Sequence, residues 1–70
     1  MKKHKGIITN LTDKGYGFIC PTGMKNNGNI FFHASYLSNI EFIEIEVGQI
    51  VEYEIRESQK GLEAFNIVLL

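Results

Sequence analysis

Tryptophan is absent from this chain of 70 residues, and proline and cysteine occur once each. Each scarcity excludes something. A single cysteine, Cys20, leaves no internal disulfide and no cysteine-cluster zinc site, and reads as a half-buried strand thiol in a reducing compartment. The one proline, Pro21, cannot donate to a strand ladder and closes the strand before it. No apolar run approaches a membrane span. Met1-Lys2-Lys3-His4-Lys5 is basic but lacks the apolar segment of a secretion signal, so a cytosolic protein is expected. The net charge of −1 argues against a strongly basic protein that wraps duplex DNA. Catalytic patterns are missing too. There is no serine–histidine–carboxylate spacing and no phosphate-binding glycine loop, and Gly15-Tyr16-Gly17 opens no helix of the dinucleotide-binding kind. His33 has only His4 as a companion, too few ligands for a metal. No enzyme, cofactor or metal is expected.

What the chain does have is 44% hydrophobic residues, too many for a disordered chain of this charge. The pattern reads as five short strands. Lys5 to Leu11 is rich in residues that favour extension, although Ile7 and Ile8 are adjacent and break the alternation. Thr12-Asp13-Lys14-Gly15 is a turn with Gly15 free for a positive φ, and Tyr16 to Cys20 follows. Thr22 to Gly28 is a loop whose Asn26-Asn27-Gly28 signals a turn. Asn29 to His33 is the third strand, and Ala34-Ser35-Tyr36-Leu37 suits one 3₁₀ turn. Ser38 to Val47 reads as a connection with local structure. Ile50 to Glu57 and Leu62 to Leu70 are the last strands, joined by a turn at Ser58-Gln59-Lys60-Gly61. In the last strand, strict alternation puts Ala64, Asn66, Val68 and Leu70 on one face and Phe65, Ile67 and Leu69 on the other. The carboxylates Glu41, Glu44, Glu46, Glu52, Glu54 and Glu57 read as a solvated face.

Five strands without a helical period make an all-β domain over residues 1–70, and at this size closure into a barrel removes exposed edges. A five-stranded antiparallel Greek-key barrel of the OB type is expected. A monomer is the simplest state. The Ser38–Val47 connection is long enough to hinge a strand-exchanged dimer.

Two segments carry chemistry. In Lys14-Gly15-Tyr16-Gly17-Phe18-Ile19, Tyr16 and Phe18 project from the same face of an extended strand, with glycines beside Tyr16. Asn29-Ile30-Phe31-Phe32-His33 repeats the device with Phe31 and His33. Ile19, Ile30 and Phe32 supply the alternate, inward positions. Four π-faces on neighbouring strands would form a platform on which unpaired bases stack. Tyr53 and Phe65 fall on strands away from that platform and read as structural.

These two segments resemble the two ribonucleoprotein motifs of the cold-shock domain family. Gly6, Val47-Gly48-Gln49, and Lys60-Gly61 through Ala64 and Asn66 add to the likeness, which covers nearly the whole chain. The resemblance implies a barrel that binds single-stranded RNA or DNA with low sequence preference, and an RNA-chaperone or regulatory role. It implies stacking roles for Tyr16, Phe18, Phe31 and His33, a loop contact from Phe42, and backbone contacts from Lys14 and Lys60, with Lys5 on a basic rim. Three positions depart from the family. Asn10 stands where the family stacks a tryptophan, Ala34 where a further aromatic follows the second motif, and Thr9 where many members have lysine. Tyr36 is the candidate replacement for the second loss. Each missing stack would weaken binding by roughly 1–3 kcal/mol. The rival reading is an OB barrel whose aromatic face meets a protein partner or folded, ribosome-associated RNA. It is motivated by the acidic balance and the apolar end Ile67-Val68-Leu69-Leu70.

Overall fold

In the computed structural model the described residues are 3–22, 29–59 and 61–70, so the Asn26-Asn27-Gly28 turn and Lys60 lie outside them. The strands are β1 (His4–Leu11), β2 (Tyr16–Pro21), β3 (Ile30–His33), β4 (Ile50–Ser58) and β5 (Gly61–Leu69). They close into a barrel in the order β1-β2-β3-β5-β4, with β1 against β4. Two 3₁₀ turns, Ala34–Tyr36 and Phe42–Glu44, lie in the connection from β3 to β4. The local structure expected within Ser38 to Val47 is the second of these.

One seam is not antiparallel. β3 and β5 run parallel and register at Phe31↔Glu63, and the parallel bridge Leu37↔Ile67 continues the seam beyond β3. A ring of five strands cannot alternate in direction all the way round, so closure requires a parallel pair somewhere.

The interior is built from Ile8, Ile19, Ile30, Phe32, Ile45, Val51, Tyr53, Ala64 and Ile67. Two bulges decide which residues reach it. In β1 the register slips between Ile8 and Asn10, leaving Thr9 unmatched. Ile8 is therefore buried and Leu11 packs on the core, while Ile7 faces out; the adjacent isoleucines separate to opposite faces. In β5 the ladder passes from Glu54↔Phe65 to Glu52↔Val68, and Asn66 takes φ +52°. The bulge reverses the side-chain parity. Ala64 and Ile67 consequently both point inward, and the strict alternation expected for this strand does not hold.

Glu54 also departs from expectation. It is buried rather than on a solvated face, and its carboxylate accepts a hydrogen bond from Asn66 Nδ2 at 2.9 Å. The Asn66 bulge thus supplies the partner that a buried carboxylate needs. Gly17 has a role different from clearing the platform. It points inward, where an added Cβ would lie 2.6 Å from the Asn10 carbonyl oxygen and 2.9 Å from the Phe32 ring. Gly15, at φ +92°, makes the turn into β2.

Tyr53 is fully buried, and its hydroxyl has no hydrogen-bond partner among the described residues. Burial, with a smaller contribution from Cys20, pushes its pKa up to about 12 from 10.0. Because the folded value is the higher one, the stability this group contributes is complete below pH 10 and is lost as pH rises through about 12. The expected loss is roughly 2–3 kcal/mol across that window. Tyr53→Phe should abolish this alkaline dependence and leave the neutral-pH melting temperature equal or higher, since it removes a hydroxyl buried without a partner. Thermal unfolding of both proteins at a series of alkaline pH values checks both points.

Candidate nucleic-acid interface

β2 and β3 position the aromatic side chains through their register. Tyr16 lies opposite His33, and Phe18 opposite Phe31. On both strands the burial alternates, with Gly17, Ile19, Ile30 and Phe32 inside. That leaves Tyr16, Phe18 and Phe31 half-buried and His33 exposed on the outer face.

The rings are not laid flat side by side. Tyr16 and Phe31 have centroids 5.5 Å apart at a 39° tilt, whereas Phe18 stands edge-on to both, 6.1 Å from each at 88° and 71°. This is a mutually supporting cluster of the edge-to-face kind that aromatic quadrupoles favour. Opening it to a base exchanges ring–ring contacts for ring–base contacts.

His33 is held from below. The Ser35 backbone N–H donates to His33 Nδ1 at 3.1 Å, so the histidine caps the first 3₁₀ turn. With Nδ1 accepting, the neutral ring carries its proton on Nε2, which leaves a donor on the outer side. That same turn brings Tyr36 edge-on to His33, with ring centroids 6.0 Å apart. Tyr36 therefore stands at the edge of the aromatic face, two positions from the site where Ala34 offers no ring.

Other expected contacts are distributed unevenly. Lys14 is exposed in the β1–β2 turn, two residues before Tyr16. Asn10 is exposed and pairs with Phe18 across β1 and β2, so the family's stacking position is occupied by an amide. Lys5 sits toward the far end of β1, opposite Glu52, and is not brought to the aromatic cluster. Phe42 packs inward, its ring 6.5 Å from that of Phe32, while also lining a cleft of about 670 Å³ that reaches back to His33 and Ala34. Among the described residues no group of histidine, cysteine or carboxylate side chains could hold a metal.

Comparison with known proteins bears on this arrangement. Residues 4–70 match the model of the 'Cold-shock' DNA-binding domain. The chain belongs to the cold-shock domain family. It is 38% identical over 58 residues to the major cold shock protein of Micrococcus luteus, covering 83% of this chain and 84% of that one. It is 35% identical to the cold shock-like protein CspC of Escherichia coli over the full length of both. Among solved structures, drosophila Unr CSD456 superposes with a TM-score of 0.78 at 26% identity, covering 99% of this chain and 27% of that one. Cold-shock domains are nucleic-acid-binding proteins and not enzymes, and the closed five-stranded barrel is the OB architecture expected of them. No helix among the described residues is long and apolar enough to cross a membrane.

Within this cold-shock domain, two residues beside the aromatic face escaped the sequence reading, and Phe65 was read as away from it. Arg56 and Glu63 face each other across the β4–β5 hairpin and form a salt bridge. The Arg56 guanidinium carbon lies 4.8 Å from the Tyr36 ring centroid and 4.6 Å from that of Phe65. Phe65 is thus linked to the edge of the aromatic face rather than remote from it. The signal was present: counting back from the Ser58-Gln59-Lys60-Gly61 turn sets Arg56 opposite Glu63, an opposite-charge pair.

Proposed function

We propose that this cold-shock domain binds unpaired RNA or DNA by stacking bases on Tyr16, Phe18, Phe31 and His33, with little sequence preference. Lys14 and Lys60 track the phosphates, and Phe42 with Tyr36 closes the end that Ala34 leaves open. Lys5 contributes only long-range attraction from its end of β1. The protein acts in the cytosol as a monomer. By holding bases apart it disfavours RNA secondary structure, which is the chaperone activity of this reading.

The carrying observation is the cluster of three outward aromatic rings on β2 and β3, beside an exposed histidine with an outward donor. Aromatic side chains on the water side of a strand pair need an occupant to account for them. With a net charge of −1, affinity should come from stacking more than from phosphate attraction, and so depend weakly on salt.

Titration with oligo-dT or oligo-U, followed by tyrosine fluorescence, tests the reading. Saturable quenching with a shallow salt dependence is the expected result. Absence of binding at micromolar protein in low salt would sink it and favour a protein or folded-RNA partner for this face.

A further inference from the structure

We propose that Arg56, pinned between Tyr36 and Phe65, is a phosphate-binding residue that extends the single-strand site by one nucleotide beyond Phe31. The inference rests on the single-strand reading above.

Three observations carry it. The first is immobilisation. The guanidinium lies over two aromatic rings, 4.8 Å and 4.6 Å from their centroids, and its Nε donates to Glu63 Oε2. The hydrogen bond to Glu63, with Tyr36 beside it, holds its pKa above the usual value. A long cation fixed in this way has already lost the rotamer freedom that a free arginine would lose on binding.

The second is exposure. The Arg56 side chain is 45% exposed and that of Glu63 only 12%, so the carboxylate lies beneath and the cation faces solvent. The guanidinium has five donors, and its terminal nitrogens suit a phosphate's paired oxygens. The ring faces beneath Arg56 are covered by it, which makes this a place for phosphate rather than for another stacked base.

The third is continuity. Glu63 is the cross-strand partner of Phe31. A cleft of about 400 Å³, bounded by Phe31, His33, Tyr36, Ser58, Gln59 and Glu63, joins the aromatic face to this cluster. A strand leaving Phe31 along the cleft would run past Tyr36 and Glu63, the two cleft-lining residues that Arg56 packs over and pairs with.

The plainer account is that Arg56 merely covers two aromatic rings and pairs with Glu63, as long cationic side chains do on any surface. The two accounts differ in how binding depends on oligonucleotide length and on salt. Wild type, Arg56→Ala and Arg56→Lys are titrated with an oligo-dT tetranucleotide and an octanucleotide at several salt concentrations. Arg56→Ala should bind the tetranucleotide like wild type but the octanucleotide about three- to fivefold more weakly, the scale of one exposed ionic contact. Its log–log salt slope for the octanucleotide should be shallower by about 0.7, the value for one lost phosphate contact on a single strand. Arg56→Lys keeps the charge without the planar fork, so it should restore the slope and only part of the affinity, and it supplies the readout if the alanine variant fails to fold. Unchanged octanucleotide affinity and slope in the Arg56 variants overturn this inference alone, as does equal weakening for both lengths. Wild-type protein that binds neither oligonucleotide overturns the single-strand reading as well.

Discussion

Phe18→Ala should weaken binding of a single-stranded octanucleotide by about five- to 150-fold, the range for one base–aromatic stack of 1–3 kcal/mol. The upper half of that range is expected here. Phe18 stands edge-on to both Tyr16 and Phe31, so its removal takes away a stacking face and unsupports two others. Asn10, its cross-strand neighbour, provides no substitute ring. The effect on folding should be small by comparison, because the ring is half-buried on the outer face while Ile19 and Gly17 point inside from the same strand. Affinity measured by tyrosine fluorescence, beside a thermal melt of the same variant, separates the two. A variant that melts like wild type but still binds like wild type would remove Phe18 from the interface.

Phe32→Ala is expected to do the opposite, unfolding the domain at ambient temperature with no selective effect on the ligand. Its ring is completely buried, with Phe42 packed against it at 6.5 Å. Truncating such a phenylalanine costs about 3–5 kcal/mol, of which the unfilled cavity is a large part. A chain this short buries only roughly 60% of its unfolded surface, and its total stability should lie near the lower end of the 5–15 kcal/mol typical of domains. One residue therefore holds a large share of the margin. Denaturant titration followed by far-ultraviolet circular dichroism measures the loss. Phe32→Leu, which retains most of the volume, should recover the larger part of it. Phe31 and Phe32 are chain neighbours, and their alanine variants should fail in different assays.

That separation of adjacent phenylalanines was legible in the sequence because β3 keeps period two throughout. So was the sharing of one outer face by Tyr16, Phe18, Phe31 and His33, since β2 and β3 both alternate without interruption. The parallel seam was also available, because an odd number of strands in a ring demands it. The bulges were not. Asparagine tolerates a left-handed φ better than most residues, but its local sequence does not say that Asn66 takes one, and without it Ile67 falls on the wrong face. The side to which a bulge delivers its neighbours is fixed by the partner strand, which lies elsewhere in the chain. Phe42 shows the same limit: its burial against Phe32 depends on where a loop folds back, not on its own spacing. Phe65 was misplaced for a related reason, since its link to Tyr36 runs through an arginine on a third segment.

The barrel closes through its narrowest join, where β3 and β5 register at Phe31↔Glu63 and the chain just beyond β3 adds the bridge Leu37↔Ile67. A barrel held this way is a ring with a clasp, and the clasp lies under the aromatic face. On the proposed reading, a nucleic-acid strand that touched Phe31 on one side and Arg56 on the other would span it like a suture. Affinity and closure then draw on one free energy: the ligand must find the ring shut, and by binding keeps it shut. A change that loosens the clasp would weaken binding in proportion to the closed fraction it leaves, so affinity and closure should be lost together.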